Sequence, residues 1–400
     1  MPDDATQPAP GSLTARIVAR IDDIAAAEWD ACAGPDNPFV SHAFLSALEE
    51  SGSVGPQSTG WLPQHVAIND SDGRLLACAP AYIKLHSYGE YVFDHGWADA
   101  FERAGGRYYP KLQICVPFTP APGPRLLVRP GEDVAGLRQA MIATLTEFCE
   151  QAGLSSLHIT FPSEAEYELA GDIGLIQRIG QQFHWHNDGY ASFEDFLAAL
   201  NSRKRKQIRK ERREAQAGGV TLRAYSGAEL KPEHWDAFYR FYENTSDRKW
   251  GSAYLTRDFF QLLGERMGDR VVLFLGEEEG HEGTGAYVCG ALNLAGTDTL
   301  YGRNWGCEEH VKFLHFEACY YRAIDWAIEY GFKRVEAGAQ GPHKIQRGYL
   351  PTPTYSAHWI AHPGLRDAVD KAMRRERPAV LAEIDALTAE YSPYRQEGEG

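Results

Sequence analysis

Four hundred residues are too many for one ordinary domain and point to two, or to one core duplicated. An apolar content of 44% allows a sizeable core, and no apolar run reaches the ~18–20 residues of a membrane-crossing helix. Forty basic against 55 acidic residues leave a net charge of −15, which disfavours a broad nucleic-acid-binding coat.

The chain opens on "MPDDATQPAPGSLTAR", polar and proline-containing, without the apolar middle of a signal peptide; a mobile tail over residues 1–15 and a cytoplasmic protein are expected. Amphipathic helices are predicted near Ala25–Ala33 and His42–Glu50. Two β-prone runs, "HVAIND" and "RLLACAPAYIKLH", flank a turn at Asp72-Gly73, and "EYVFDHGW" reads as a third strand. The proline-rich "YYPKLQICVPFTPAPGPRLLV" cannot be helical. A helix over about Val134–Ala152 stops at Gly153, and "SLHITF" follows as a strand.

The second half repeats this order. "RVVLFLGEEE", "AYVCGALNLAG" and "TLYGRNW" read as strands, a helix over about Phe313–Tyr330 stops at Gly331, and "FKRVEAG" follows at once. Each half also ends on an aromatic strand, "GQQFHWH" and "PTYSAHWI". The matching order implies a duplicated α/β unit with mixed sheets. The resulting division is an N-terminal domain over 16–190, a basic connecting helix over 191–219, a C-terminal domain over 220–362, and helices with a polar tail over 363–400. In the connecting segment Ser192 and Asp195 form a capping signal, and "NSRKRKQIRKERR" is almost solidly basic. The C-terminal helices are interrupted by Pro378.

The seven cysteines are scattered and form no CxxC pair, which argues against a zinc ribbon or a disulfide framework and for small buried side chains. His184 and His186 share one face of a strand, but no further ligand spacing makes them a metal site. No metal is expected.

The chemistry concentrates at strand ends. In open α/β sheets, sites form outside the carboxyl ends of strands that splay apart. "YGRNWG" ends one such strand, "EAGAQGPHKIQRGYLP" ends the next, and the intervening helix begins with His315 and Glu317. Arg303, His315, Glu317, Glu336, His343, Lys344 and Arg347 are therefore predicted around one cleft, with Tyr301, Gln340 and Tyr349 beside them. Each taken singly is equally well explained by capping, packing or surface solvation; together they mark a site.

These strings, with "YYPKLQICVPFTPAPGPRLL", "RKWG" and "LHFEACYYRAIDWAIEYG", resemble the FemAB-like group of the GNAT acyltransferase superfamily over about residues 15–385. The resemblance implies tandem GNAT-like domains of Fem-type architecture and transfer of an acyl or aminoacyl group onto an amine, in an envelope precursor such as that of peptidoglycan. It implies no permanently bound cofactor but an activated donor, aminoacyl-tRNA or, as the lesser alternative, acyl-CoA. The acetyl-CoA pattern R/Q-x-x-G-x-G/A is missing: "GCEEHVKFLHFE" occupies that connection, and Glu308 and Glu309 would repel a pyrophosphate. On this reading Glu317 or Glu336 is the base, with His315 or His343 as rivals. Arg303, Lys344 and Arg347 suit anionic substrate groups, and Tyr301 or Tyr349 a developing oxyanion. Asp94, His95, Trp97 and Lys111 either line an acceptor groove or belong to a rigid wrap over a sheet edge. Arg205, Arg209, Arg212 and Arg213 contact tRNA phosphates, contact anionic lipid as a peripheral membrane patch, or are simply solvated. A non-catalytic protein that binds peptidoglycan fragments is the alternative from outside the enzymes.

Overall fold

The structure is a computed structural model that describes residues 12–250, 253–278, 280, 283, 285–308, 311–338 and 341–395, the side chains of 246–250 aside. Gln340 and Glu309 lie outside the described residues. The chain forms two compact units, interleaved in sequence: residues 1–180 with 354–378, and 181–353 with 379–400.

The first unit contains β1 (Thr14–Val18), α1 (Ala26–Ala33), α2 (His42–Glu50), β2 (Trp61–Pro63), β3 (His65–Asn69), β4 (Leu75–Ala79), β5 (Ala81–Lys84), α3 (His95–Arg103), β6 (Lys111–Ile114), β7 (Leu127–Val128), α4 (Val134–Gln151), β8 (Ser156–Thr160) and α5 (Glu164–Asp172). The strand β9 (Ile176–His186) starts here and ends in the second unit. One antiparallel sheet has the order β1-β3-β4-β7. In a second, β2, β5 and β6 are antiparallel neighbours, and β6 runs parallel to β8. The run expected as one strand, "RLLACAPAYIKLH", is cut at Pro80, and β4 and β5 enter different sheets. Proline has no N–H to give a ladder; the Pro80 carbonyl instead accepts from the Cys115 amide at 3.3 Å.

Asp133 caps α4 by accepting from the Gly136 amide at 3.0 Å, and Gly153 ends the following turn at φ +65°. One face of α4 lays Leu137, Met141, Ile142 and Leu145 against Val66, Ile68, Leu112, Ile114, Leu157 and Ile159. Because side chains alternate along a strand, Lys111, Gln113, Ser156, His158 and Thr160 point to the opposite face, and all five are buried. "EYVFDHGW" is not a strand. Gly89 and Tyr91 take left-handed backbone (φ +79° and +60°), Glu90 and Asp94 turn inward to Lys111, and α3 begins at His95.

The second unit continues with α6 (Phe193–Ala199), α7 (Ser202–Gln216), β10 (Val220–Tyr225), α8 (Pro232–Trp250), α9 (Arg257–Met267), β11 (Val271–Glu278), β12 (Tyr287–Ala295), β13 (Thr299–Cys307), α10 (Leu314–Phe316), a π-turn (Glu317–Tyr321), α11 (Arg322–Glu329) and β14 (Arg334–Glu336). A 3-10 segment (Pro342–Arg347) leads into β15 (Leu350–Ile360), and α12 (Pro363–Tyr391) closes the chain with Pro378 inside it. The expected single helix over 192–219 is two helices, since Asn201 accepts from the Lys204 amide at 3.0 Å and starts α7 afresh.

β10 to β13 form an antiparallel series, β13 pairs parallel with β14, and β14 pairs antiparallel with the end of β9. β15 likewise crosses units: its last residues pair antiparallel with β8 in the first. Each unit thus holds a parallel pair joined through a helix, β6–β8 and β13–β14, with a neighbouring strand ending supplied by the other half of the chain. The architecture is mixed α/β, as the duplicated pattern implied.

Candidate functional site

The parallel pairing of β13 and β14 covers only Thr299–Tyr301 with Arg334–Glu336, whereas β13 runs on to Cys307. A bulge opposite Ala291–Asn293 inserts an extra residue in Gly302–Trp305 and turns the strand. The two strands therefore splay at their carboxyl ends, where the sequence concentrates its polar residues.

The helix that follows β13 enters through Phe313 in left-handed conformation (φ +63°) and widens at once into the π-turn. Such turns recur at functional sites because they re-aim side chains. Here Tyr320 lies between the two candidate histidines: the His315 ring is 5.3 Å from the Tyr320 ring, and the Tyr320 hydroxyl is 3.1 Å from His343 Nε2. Trp305 lies 5.4 Å from His315, and Phe316 5.7 Å from His343. His343 is exposed, and partial burial, with Arg347 and Lys344 nearby, lowers its pKa and keeps the imidazole neutral. Burial raises the pKa of Tyr320, so its hydroxyl stays protonated. The sequence reading named both histidines and missed Tyr320; its position five residues after His315 gives no α-helical neighbour signal, and only the π-turn brings the rings together.

The two candidate acids lie apart from this trio. Glu317 is clasped by Arg212 at 3.0–3.3 Å through both carboxylate oxygens, and Arg212 also reaches Asp325 at 2.6 Å. Burial raises the Glu317 pKa against the pull of Arg212. Glu317 also lines a cavity of about 220 Å³ with Gln216, Thr221, Leu314 and Arg322. Glu336, buried at the end of β14, lies 3.2 Å from Arg334 Nε and 4.0 Å from His184 Nε2. Tyr301, its parallel neighbour, is buried and pushed up to about 12 by burial and by Glu336.

The expected anion-binding cations are largely engaged. Arg347 pairs with Glu211 at 2.9 and 3.0 Å, lies 3.5 Å over the Phe316 ring and donates to the His343 carbonyl at 2.8 Å. Tyr321 donates to the same Glu211. Lys344 donates to the Ala337 and Gly338 carbonyls at 2.6 and 2.9 Å, and burial draws its pKa down to about 7. It therefore pins the segment that leaves β14. Tyr349 is fully buried and donates to the Tyr320 carbonyl at 3.1 Å, so it supports Tyr320 rather than facing a ligand. Arg303 is half-buried on the splayed part of β13.

In the first unit, Asp94 and Lys111 meet in a buried ionic cluster. Lys111 donates to Asp94, to Glu90 at 2.7 Å and to Ser87 at 2.8 Å; Tyr108 donates to Asp94 at 2.8 Å. Burial favours the neutral Asp94 carboxyl, but Lys111 and His158 outweigh it and hold the group well below the usual carboxylate range. Burial pushes Glu90 up to about 7 and brings Lys84 down to about 7. His158 Nδ1 lies 2.7 Å from His358 Nδ1, with Ser156 2.7 Å from His158 Nε2 and Ser356 2.9 Å from His358 Nε2. Burial and the Lys111 charge bring His158 down to about 3, and burial holds His358 well below its usual value. Trp97 is half-buried beside this pair, its ring 5.0 Å from His358, while His95 is exposed. The Ser-x-His alternations at Ser156/His158 and Ser356/His358 were the available sequence signal for this polar sheet face, and the sequence reading passed over both.

On α7, Arg203, Lys206, Arg209, Lys210 and Arg213 are exposed, Arg205 is half-buried, and Arg209 pairs with Glu194. Arg212 points inward to Glu317 and is not part of the outer basic face. Among the described residues no three His, Cys, Asp or Glu side chains are placed to hold a metal ion, and no helix is long and apolar enough to cross a membrane.

Antiparallel strands leading to a parallel pair, twice in one chain and with the second pair splayed, define a tandem GNAT-like protein with Fem-type architecture. The chain belongs to the FemAB-like family, described as peptidoglycan biosynthesis/recognition, whose model matches residues 20–396. The crystal structure of FemX superimposes with a TM-score of 0.53 at 12% identity, covering 87% of this chain and 98% of that one. The C-terminal DUF2156 domain of a putative lysylphosphatidylglycerol synthetase from Agrobacterium fabrum gives 0.51 at 10% identity, covering 92% and 99%. No curated protein matches the sequence.

Proposed function

We propose that the protein is an acyl or aminoacyl transferase that moves an activated acyl group onto an amine of an envelope precursor, with the second unit's strand splay as its catalytic cleft. Membership of a family described as peptidoglycan biosynthesis/recognition supports the substrate class. The observation that carries the catalytic assignment is the hydrogen bond between Tyr320 and the neutral, exposed His343 at the mouth of the splay.

Attack of an amine on an activated ester needs alignment, an acceptor for the amine proton and a donor to the developing oxyanion. His343 is the base in this reading, because a neutral imidazole can take a proton near pH 7, whereas freeing Glu317 would break its bonds to Arg212. Tyr320 orients the ring and, with His315, lines the cleft. Lys344 fixes the β14 exit, and Arg303, half-buried on the splayed part of β13, is the candidate for an anionic substrate group. The donor is aminoacyl-tRNA in preference to acyl-CoA: Glu308, at 3.6 Å from Arg240, stands where a pyrophosphate loop would need amide donors.

Single-turnover transfer from a charged tRNA to a peptidoglycan precursor tests the reading. His343→Ala should lower kcat by ~10²–10⁴-fold and Tyr320→Phe by less, while Glu317→Gln, which can still bond Arg212, stays close to wild type. Full activity in His343→Ala, with loss in Glu317→Gln, would return the role of base to the carboxylate.

A further inference from the structure

The proposed reaction leaves one cavity of the second unit without a role. Gly219, in left-handed backbone (φ +74°), turns the chain from α7 into β10, and the start of the π-turn packs on α7 beside them. These elements enclose the cavity of about 220 Å³. Val220, Leu222 and Leu314, which pack on one another, form an apolar wall. Gln216 and Thr221 are exposed at its rim, Arg322 is half-buried, and Glu317, 3% exposed, is its most buried polar group. His315, Tyr320 and His343 do not line it.

Two polar groups of the cavity have hydrogen-bonding capacity to spare. Arg212 grips Glu317 through Nε and one terminal nitrogen, but a carboxylate offers about four lone-pair sites and can accept from a further donor. Burial opposes the Glu317 charge, and a second cation would offset that. Arg322 Nε is buried and has no hydrogen-bond partner among the described residues. Asp325 lies 3.8 Å from a terminal nitrogen of Arg322, beyond hydrogen-bond reach. A buried donor of this kind calls for an acceptor. Glu317 and Asp325 balance Arg212 and Arg322, so a ligand of either net charge would leave one charge unmatched in a largely desolvated place, whereas a zwitterion would not. The volume is below the ~300–1,000 Å³ of pockets for drug-sized ligands, which excludes a nucleotide, CoA or a muropeptide.

We propose that this cavity binds a free α-amino acid with a small apolar side chain: its ammonium on Glu317, its carboxylate on Arg322, and its side chain against Val220, Leu222 and Leu314. Gln216, the last residue of α7, stands at the same opening, and the carbonyl end of a helix favours the ammonium. A charged side chain would meet no counter-ion on the apolar wall, so aspartate and lysine bind less well than valine. The site is additional to the transfer reaction and does not depend on it.

Calorimetric titration of the full-length protein with L-valine, without any acyl donor or acceptor, tests the site. Saturable one-to-one binding is expected. Isovalerate, which lacks the amine, and isobutylamine, which lacks the carboxylate, should each bind ~10–100-fold more weakly. Arg322→Gln should weaken valine to a similar degree, and Thr221→Trp, which places an indole at the exposed rim, should abolish binding. His343→Ala should bind valine as the wild type does. No binding of valine, alanine or leucine at ~10 mM, equal binding of isovalerate or isobutylamine, or loss of binding in His343→Ala would overturn the proposal. Should Thr221→Trp fail to fold, Arg322→Gln decides, since unchanged affinity there refutes the carboxylate contact.

Discussion

Arg212 shows how far a charge run can mislead. Eight basic residues share α7, yet this one is held inward by Glu317 and Asp325 and stacked 4.2 Å over Phe193. Its inward phase was legible in part: Ile208, Glu211 and Ala215 recur at helical spacing and are buried, so the lone acid in a basic run marked the packed side. What the sequence could not show was the partner, 105 residues further on. Removing one member of a buried ion pair leaves the other uncompensated, at a cost of about 3–5 kcal/mol. Arg212→Ala should therefore lower the urea midpoint by that equivalent. Arg212→Lys should recover only part, since lysine lacks the bidentate fork, and Arg213→Ala on the exposed face should change stability by no more than ~0.5 kcal/mol. Equal effects at Arg212 and Arg213 would mean that the clasp on Glu317 contributes nothing.

At the scale of elements, helices and their caps were the most legible features, because capping residues and terminal glycines are local signals. Strand membership was less so. Pro80 divides a continuous β-prone run between two sheets, and the inward turn of Glu90 and Asp94 defeats the strand pattern of "EYVFDHGW" for the sake of a cation, Lys111, about twenty residues away. β8 and β15 show the same limit from the other side: each alternates polar and apolar residues as a solvated edge strand does, yet the polar rows pair with one another and are buried. Their histidines carry a pH signature. Both are neutral when folded, with His158 at about 3, while an unfolded histidine titrates near ~6.5. Between those values the unfolded chain binds a proton that the native state does not, so stability rises with pH and falls on acidification from about 6.5 downward. Each histidine adds roughly 1.4 kcal/mol per pH unit in that window. Glu90, raised to about 7 mainly by burial, acts with the opposite sign, so the histidine contribution has to be read as a difference between proteins. Denaturation of wild type, His158→Asn and His358→Gln between pH 6.5 and 5 should show a shallower dependence in both variants, whatever their absolute loss. Parallel slopes would mean that these imidazoles are protonated in the native state.

The whole molecule carries two charge patterns at once. The chain is acidic overall, at −15, while Arg203, Lys206, Lys210 and Arg213 leave one side of α7 exposed and basic. The duplication of an α/β unit was legible from the repeated order of elements, but the passage of β9 and β15 from one unit to the other was not, because an alternating strand satisfies either neighbour equally. The basic face matters for the donor. If the acyl group arrives on tRNA, phosphates must be neutralised by this face, and binding should weaken linearly in log salt by about 0.7–0.9 per phosphate contacted. About three or four contacts would give a slope near −3, and reversing Arg203, Lys206 and Arg213 to glutamate should flatten it by roughly the number of contacts removed while leaving the melting temperature near wild type. Acyl-CoA predicts another result: saturating acetyl-CoA, at ~100 times its dissociation constant, would stabilise the fold by ~2.7 kcal/mol, and the charge reversals on α7 would not affect transfer. Fluorescence binding of charged tRNA across a salt series, run beside a melting titration with acetyl-CoA, separates the two. A steep slope that the reversals flatten, with no acetyl-CoA shift, assigns the donor to tRNA. A saturable acetyl-CoA shift with salt-insensitive tRNA binding assigns it to the thioester, and shows that the acids after β13 do not keep a pyrophosphate out.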